Sequence, residues 1–233
     1  MLLVLWHMAD ILQFVHIGKC GGSSVSQHLA DSAVVNQKYA SYFESHINGV
    51  TPNLNCDYLI CLRNPISRAI SAFEWRKKLV VCDSPPNQRD RFPGEYDVLS
   101  AYDTFSDLAE NLYLDTFKLN QRAAREFSLI HHLRESISFY LTPLCPVLTP
   151  GNVLGVICQE TLNSDCHKIL GVDASKTYER KNIHRKESIS SLSELAISNL
   201  KYFLRDDYGC ISKLWSAGII SDQQLKLLMF GEI

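Results

Sequence analysis

The stretch FVHIGKCGGSSV, residues 14–25, constrains this chain most: a short apolar strand runs into a lysine, two glycines and two hydroxyl residues. Glycines let the backbone turn tightly and bring its N–H groups against an anion, and a helix starting there adds partial positive charge. Such a turn is a phosphate cradle. It is not in Walker order, because Lys19 precedes Gly21 and Gly22 instead of following the last glycine and preceding Ser or Thr. ATP used for phosphoryl transfer is therefore disfavoured.

A second stretch, DYLICLRNPISRAISAFEW at residues 57–75, repeats the logic. Tyr58 to Leu62 is a near-continuous apolar run that suits a buried parallel strand. Arg63 follows at its C-terminal end, and Asn64-Pro65 supplies a helix N-cap with proline at the first helical position. In that helix Ile66, Ala69, Ile70 and Phe73 share one face, while Ser67 and Ser71 share a more polar one. Arg63 and Ser71 can thus converge on a second anion beside the one in the glycine turn. Two anion sites on adjacent strand ends suit a nucleotide phosphorylated at both its 5′ and 3′ positions.

On these residues the chain resembles the sulfotransferases that use 3′-phosphoadenosine-5′-phosphosulfate (PAPS), in particular the branch containing the heparan sulfate and other carbohydrate O-sulfotransferases. HIGKCGGSS is similar to that family's 5′-phosphosulfate loop, usually His-Ile-Pro-Lys-Thr-Gly-Gly-Thr-Thr, and LRNPISRAISAF to its 3′-phosphate motif, usually Leu-Arg-Asp-Pro and a helix with Arg and Ser. A weaker likeness continues through VLGVICQETLNSDCHKILGV, residues 153–172, so it covers most of the chain. Gly18 stands for the usual Pro, Cys20 for Thr and Asn64 for Asp. These exchanges keep Lys19, the backbone donors and the N-cap.

The resemblance implies an α/β fold of the P-loop-like, three-layer kind, with a central parallel sheet flanked by helices in one domain over residues 1–233. It implies transfer of the sulfuryl group of PAPS to an acceptor hydroxyl, on a carbohydrate by first choice, with tyrosine, lipid and small-metabolite hydroxyls as alternatives. Lys19, Cys20, Gly21, Gly22, Ser23 and Ser24 would hold the 5′ end and Arg63 and Ser71 the 3′-phosphate. Lys19 would also act as electrophile, and His46, in the segment where the family carries a catalytic His, as base. Histidine has the unperturbed pKa, ~6.5, for that role, and Glu44 is the second choice. A late basic segment, residues 175–186, would close over the nucleotide through residues such as Arg180 or Lys181. No metal is needed. A P-loop kinase or NTPase and a catalytically idle binding module are the competing readings.

The remaining sequence fits this frame. At 46% hydrophobic and 21% charged residues the chain has a globular composition, and a formal charge of -2 argues against a general nucleic-acid binder. His7 and Asp10 interrupt the apolar N-terminus well short of the ~20 residues that span a bilayer, and no basic stretch precedes it. A cytoplasmic protein without a membrane span is expected, its oligomeric state open. The eight cysteines form no Cys-x-x-Cys pair, so zinc is not expected. They are read as buried thiols; for Cys20 a lowered pKa beside Lys19 is the minor alternative.

Expected elements are strands at Gln13–Ile17, Tyr58–Leu62 and Val153–Ile157, helices from Val25 and over Ile66–Lys78, and a mainly helical second half. Capping boxes are expected at Thr104 with Asp107, Ser191 with Glu194, and Ser221 with Gln224. Residues 82–103, rich in Pro, Asp and Arg, read as a surface loop. His16 reads as structural, and His131 and His132 as part of a helical stretch that could face solvent.

Overall fold

Leu12, Phe14 and Val15, and every residue from Cys56 to Leu62, are buried, the pattern of strands covered on both faces. In the computed structural model, which describes residues 9–46, 48–115, 118–176 and 187–231, these runs are the centre of a parallel four-stranded sheet. Its strands are β1 (Ile11–Val15), β2 (Ser41–Ser45), β3 (Cys56–Leu62) and β6 (Val153–Cys158), in the order β2-β1-β3-β6. A separate antiparallel pair joins β4 (Tyr113–Asp115) to β5 (Lys118–Leu119).

Helices flank the sheet, as expected of an α/β chain. They are α1 (Gly22–Leu29), α2 (Ala33–Lys38), α3 (Pro65–Lys77), α4 (Pro86–Arg89), α5 (Glu95–Ala101), α6 (Phe105–Glu110), α7 (Gln121–Leu129), α8 (Ile137–Leu141), α9 (Leu162–Leu170), α10 (Glu194–Phe203), α11 (Arg205–Ser216) and α12 (Asp222–Phe230). One apolar cluster joins the strands to α1, α8, α9, α11 and α12. A second is built on Ile66, Ala69, Ile70 and Phe73 of α3, the face expected from their spacing, and takes in α5, α6, α7 and α10. Among the described residues no helix is long and apolar enough to cross a membrane.

Most boundaries lie within two residues of expectation, the ordinary spread at element ends. Three features differ more. The first helix begins at Gly22, because Gly21 in left-handed conformation (φ 82°) lets the chain enter it directly after the turn. β2 was not expected: it is an edge strand whose residues are mostly exposed, so it has no apolar alternation to read. Residues 82–103 are not simply a loop but contain α4 and α5. α5 is held by a tertiary contact, since Glu95, fully buried, accepts two bonds from the Arg76 guanidinium (2.9 and 2.6 Å) and one from the His131 N–H (2.8 Å).

Capping boxes occur at Thr104 with Asp107 and at Ser221 with Gln224. The third differs: α10 is capped by Ser193, and Ser191 instead closes a box with Ser188 in the turn before it.

Removing one partner of a buried ion pair strands the other charge. Glu95→Ala is therefore expected to lower the urea-unfolding free energy by about 3–5 kcal/mol, and the double variant Arg76→Met/Glu95→Leu by less. Equal losses in the two would show that the pair's charge is not what matters.

Candidate functional site

The chain leaves β1 for β2 on one side and returns to place β3 on the other, so the order reverses at β1. In open parallel sheets a crevice forms at that point, outside the carboxyl ends of the strands. Here it is a cleft of about 760 Å³, within the range that holds a small organic ligand. Lys19, Gly21, Gly22, Ser23 and Ser24 line it from the turn after β1, His46 from the end of β2, and Arg63 and Ser71 from β3 and α3. Eight of the sequence-predicted site residues thus meet in one cavity. Arg180 and Lys181 lie outside the described residues.

Cys20 is the exception. Its side chain is fully buried in the sheet cluster, does not line the cleft, and burial pushes its thiol up to about 12. The alternative of a lowered pKa beside Lys19 fails because desolvation outweighs the attraction of Arg68 and Arg63.

The glycine turn is shaped by close approach as well as by torsion. Lys19 itself is left-handed (φ 71°), with its ammonium 4.8 Å from the centre of the Trp75 ring. A Cβ on Gly22 would lie 2.0 Å from the His16 ring, and one on Gly18 would lie 2.6 Å from His132 Nδ1. Gly18 is thus required by the ring beside it, which accounts for the missing proline. Since Gly21 offers no capping side chain, the first N–H groups of α1 are left for a ligand at Gly22 and Ser23, both in the cleft wall.

Arginines tie this turn to the second motif. Arg63, buried, donates through Nε to Ser67 Oγ (3.1 Å) and through Nη1 to the Lys19 carbonyl (3.3 Å), leaving Ser71 as the serine of that face that lines the cleft. Arg68, among the largest fully buried side chains, donates to the carbonyls of Gly18 (2.9 Å), His132 (2.7 Å) and Glu135. Asn64 caps α3 by accepting the Ser67 N–H (3.0 Å), its own N–H donates to Glu160 (3.0 Å), and its Nδ2 donates to the Leu228 carbonyl in α12 (2.8 Å). That last bond needs an amide, so an Asp here could not make it.

A row of imidazoles forms one wall. His16 and His46 stack at 4.1 Å, His46 and His132 lie 6.2 Å apart, and His132 and His131 4.1 Å. His46 Nδ1 is 2.7 Å from the His16 carbonyl, which can only accept, so Nδ1 carries the proton and a neutral ring presents Nε2 as acceptor. His16 Nδ1 meets Glu44 at 2.5 Å, and Ser26 donates to the other carboxylate oxygen at 2.5 Å. Although partial burial opposes it, those hydrogen bonds hold the Glu44 carboxyl below the usual range. Burial, assisted by neighbouring cations and rings, depresses His132 strongly, and burial lowers His16 despite Glu44.

His131 and His132 therefore correct their sequence reading: they lie beyond the end of α7, His131 buried and His132, with φ 69°, half-buried in the cleft wall. His16, read as structural, reaches the cleft wall, as do His132, Trp75 and the segment from Gln159 to Ser164 after β6. Of these only the Gln159–Ser164 segment carried a sequence signal, the strand-to-helix junction within residues 153–172. Comparison with known protein families, with curated proteins and with solved structures finds no match.

The unfolded chain takes up protons that folded His16 and His132 refuse. Both pKa values lie below the unbound value of 6.5, so stability is complete above that pH and falls as pH drops through it. Between pH 7 and 5 the urea midpoint is expected to fall, and to fall less steeply in His132→Gln. Parallel slopes would show that His132 protonates freely in the folded protein.

Proposed function

We propose that this chain is a PAPS-dependent O-sulfotransferase, a single domain of P-loop-like fold over residues 1–233. The observation that carries the reading is the direct bond from Arg63 to the Lys19 carbonyl, which draws the two anion-binding motifs into one cleft. The residues present fit the donor nucleotide: an uncapped helix start and a lysine at one end, a buried arginine and a serine at the other.

The bound donor supplies an activated sulfuryl group, with adenosine 3′,5′-bisphosphate as the leaving group. Lys19 and the N–H groups of Gly22 and Ser23 would hold the 5′ end and offset charge growing on the leaving oxygen. Arg63 and Ser71 would hold the 3′-phosphate. His46 Nε2 would accept the proton of the attacking acceptor hydroxyl, the Nδ1 bond to the His16 carbonyl fixing its tautomer. Glu44 is the weaker candidate for that role, because its carboxylate is already engaged by His16 and Ser26. A carbohydrate hydroxyl is the acceptor of first choice, and Arg180 or Lys181 the late basic contact.

Adenosine 3′,5′-bisphosphate is expected to raise the melting temperature of the wild type, since a ligand that binds only the folded state stabilises it. It should do so far less in Arg63→Ala and Lys19→Ala. With labelled PAPS and a panel of glycans, phenols and alcohols, His46→Ala is expected to keep bisphosphate binding while losing about 10²–10⁴-fold in transfer. Transfer undiminished in His46→Ala would remove the base; absence of bisphosphate binding in the wild type would remove the reading itself, and Mg-ATP turnover would replace it with a kinase or NTPase.

A further inference from the structure

A second cleft, of about 380 Å³, lies beside the edge strand β2. Its lining includes Gln13, Phe43, Ser45, Asn48, Thr51 and Asn53, and none of the described residues lining it carries a charge. Strand geometry separates it from the row of imidazoles: Phe43 and Ser45 share one face of β2, while Glu44 points the other way to His16 and Ser26. The register places Gln13 directly beside Phe43.

Gln13 is the informative residue. It is 2% exposed, in the middle of β1, and its Nε2 donates to Ser45 Oγ at 2.8 Å, while Oε1 has no hydrogen-bond partner. Turning the amide over would only exchange which end is left unpaired. A buried amide end without a partner is costly and uncommon, and here the side chain belongs to the wall of a cleft. Around it stand a half-exposed Phe43 ring, the Thr51 hydroxyl and the amides of Asn48 and Asn53. Asn53 Oδ1 already accepts the Asn55 N–H (2.9 Å), so its NH₂ is the end it can offer.

We infer that this cleft binds one uncharged, hydroxyl-rich ring, a neutral sugar unit. Amides and hydroxyls pair with its hydroxyl groups, and the Phe43 face covers its C–H surface. A carboxylate or sulfate here would lose its hydration without gaining a countercharge. Ser45 lines this cleft and His46 the other, and adjacent Cα atoms are ~3.8 Å apart. As an acceptor subsite the cleft rests on the sulfuryl-transfer reading; as a sugar site it does not.

The test is saturation-transfer NMR with methyl glucoside, methyl galactoside and N-acetylglucosamine, each against methyl glucuronide, in the presence and absence of adenosine 3′,5′-bisphosphate. At least one neutral sugar is expected to bind the wild type, tenfold or more tightly than the glucuronide, and the bisphosphate should not displace it. Phe43→Ala and Asn48→Ala, at exposed positions and checked for unchanged urea midpoints, should weaken it at least tenfold, and Gln13→Met likewise. Unaltered affinity in both surface variants, preference for the glucuronide, or no binding of any neutral sugar would overturn the inference. Bisphosphate binding without sugar binding would sink this site alone, and sugar binding without bisphosphate binding would sink only the nucleotide reading.

Discussion

The Arg68 guanidinium is the internal strut on which the cleft depends. It is fully withdrawn from water, and its partners are carbonyl oxygens at Gly18, His132 and Glu135. Its charge is thus hydrogen-bonded without being cancelled by a carboxylate at those contacts. Two consequences follow from that one placement. The turn after β1 and the turn after α7 are fastened together, which brings the His132 ring against Gly18. A positive charge also stays beneath a turn whose backbone donors already favour an anion.

The histidine row follows from this fastening. His16 comes from the end of β1, His46 from the end of β2, and His131 and His132 from the turn that Arg68 holds. Crowding the rings together out of water lowers the pKa of His16 and of His132, burial being the main cause and neighbouring imidazoles adding to it. A neutral imidazole with one nitrogen committed to a carbonyl is a directed acceptor. The buried His16 and His132 rings thus resist protonation, and His46, with Nδ1 committed to the His16 carbonyl, is the ring whose Nε2 is directed as an acceptor.

Much of the sheet was legible in the chain. Both strand-to-helix junctions announce themselves through local chemistry: glycines where the backbone must turn, Asn-Pro where a helix must start, and apolar runs where a strand must be covered. β2 was not, because an exposed edge strand has no buried face to impose alternation. α5 was not, because it is anchored by Glu95 reaching Arg76, a contact between distant positions. The candidate site divides the same way. Residues next to the glycine turn and Arg63 could be named from spacing, whereas His16, His132 and Trp75 are neighbours only after folding. Gly18 could be seen to depart from a familiar pattern, but the ring that excludes a side chain there could not.

The amide of Asn64 joins that site to the far end of the chain. One oxygen starts α3 behind Arg63, and the nitrogen reaches back to Leu228 in α12. An exchange of this residue for aspartate, ordinarily the mildest of replacements, would set a carboxylate against a carbonyl and loosen α12 from the start of α3. Because the acceptor is a main-chain carbonyl, any residue at 228 could receive that bond, whereas position 64 has to be an amide, and α12 thereby serves as a brace behind the cleft.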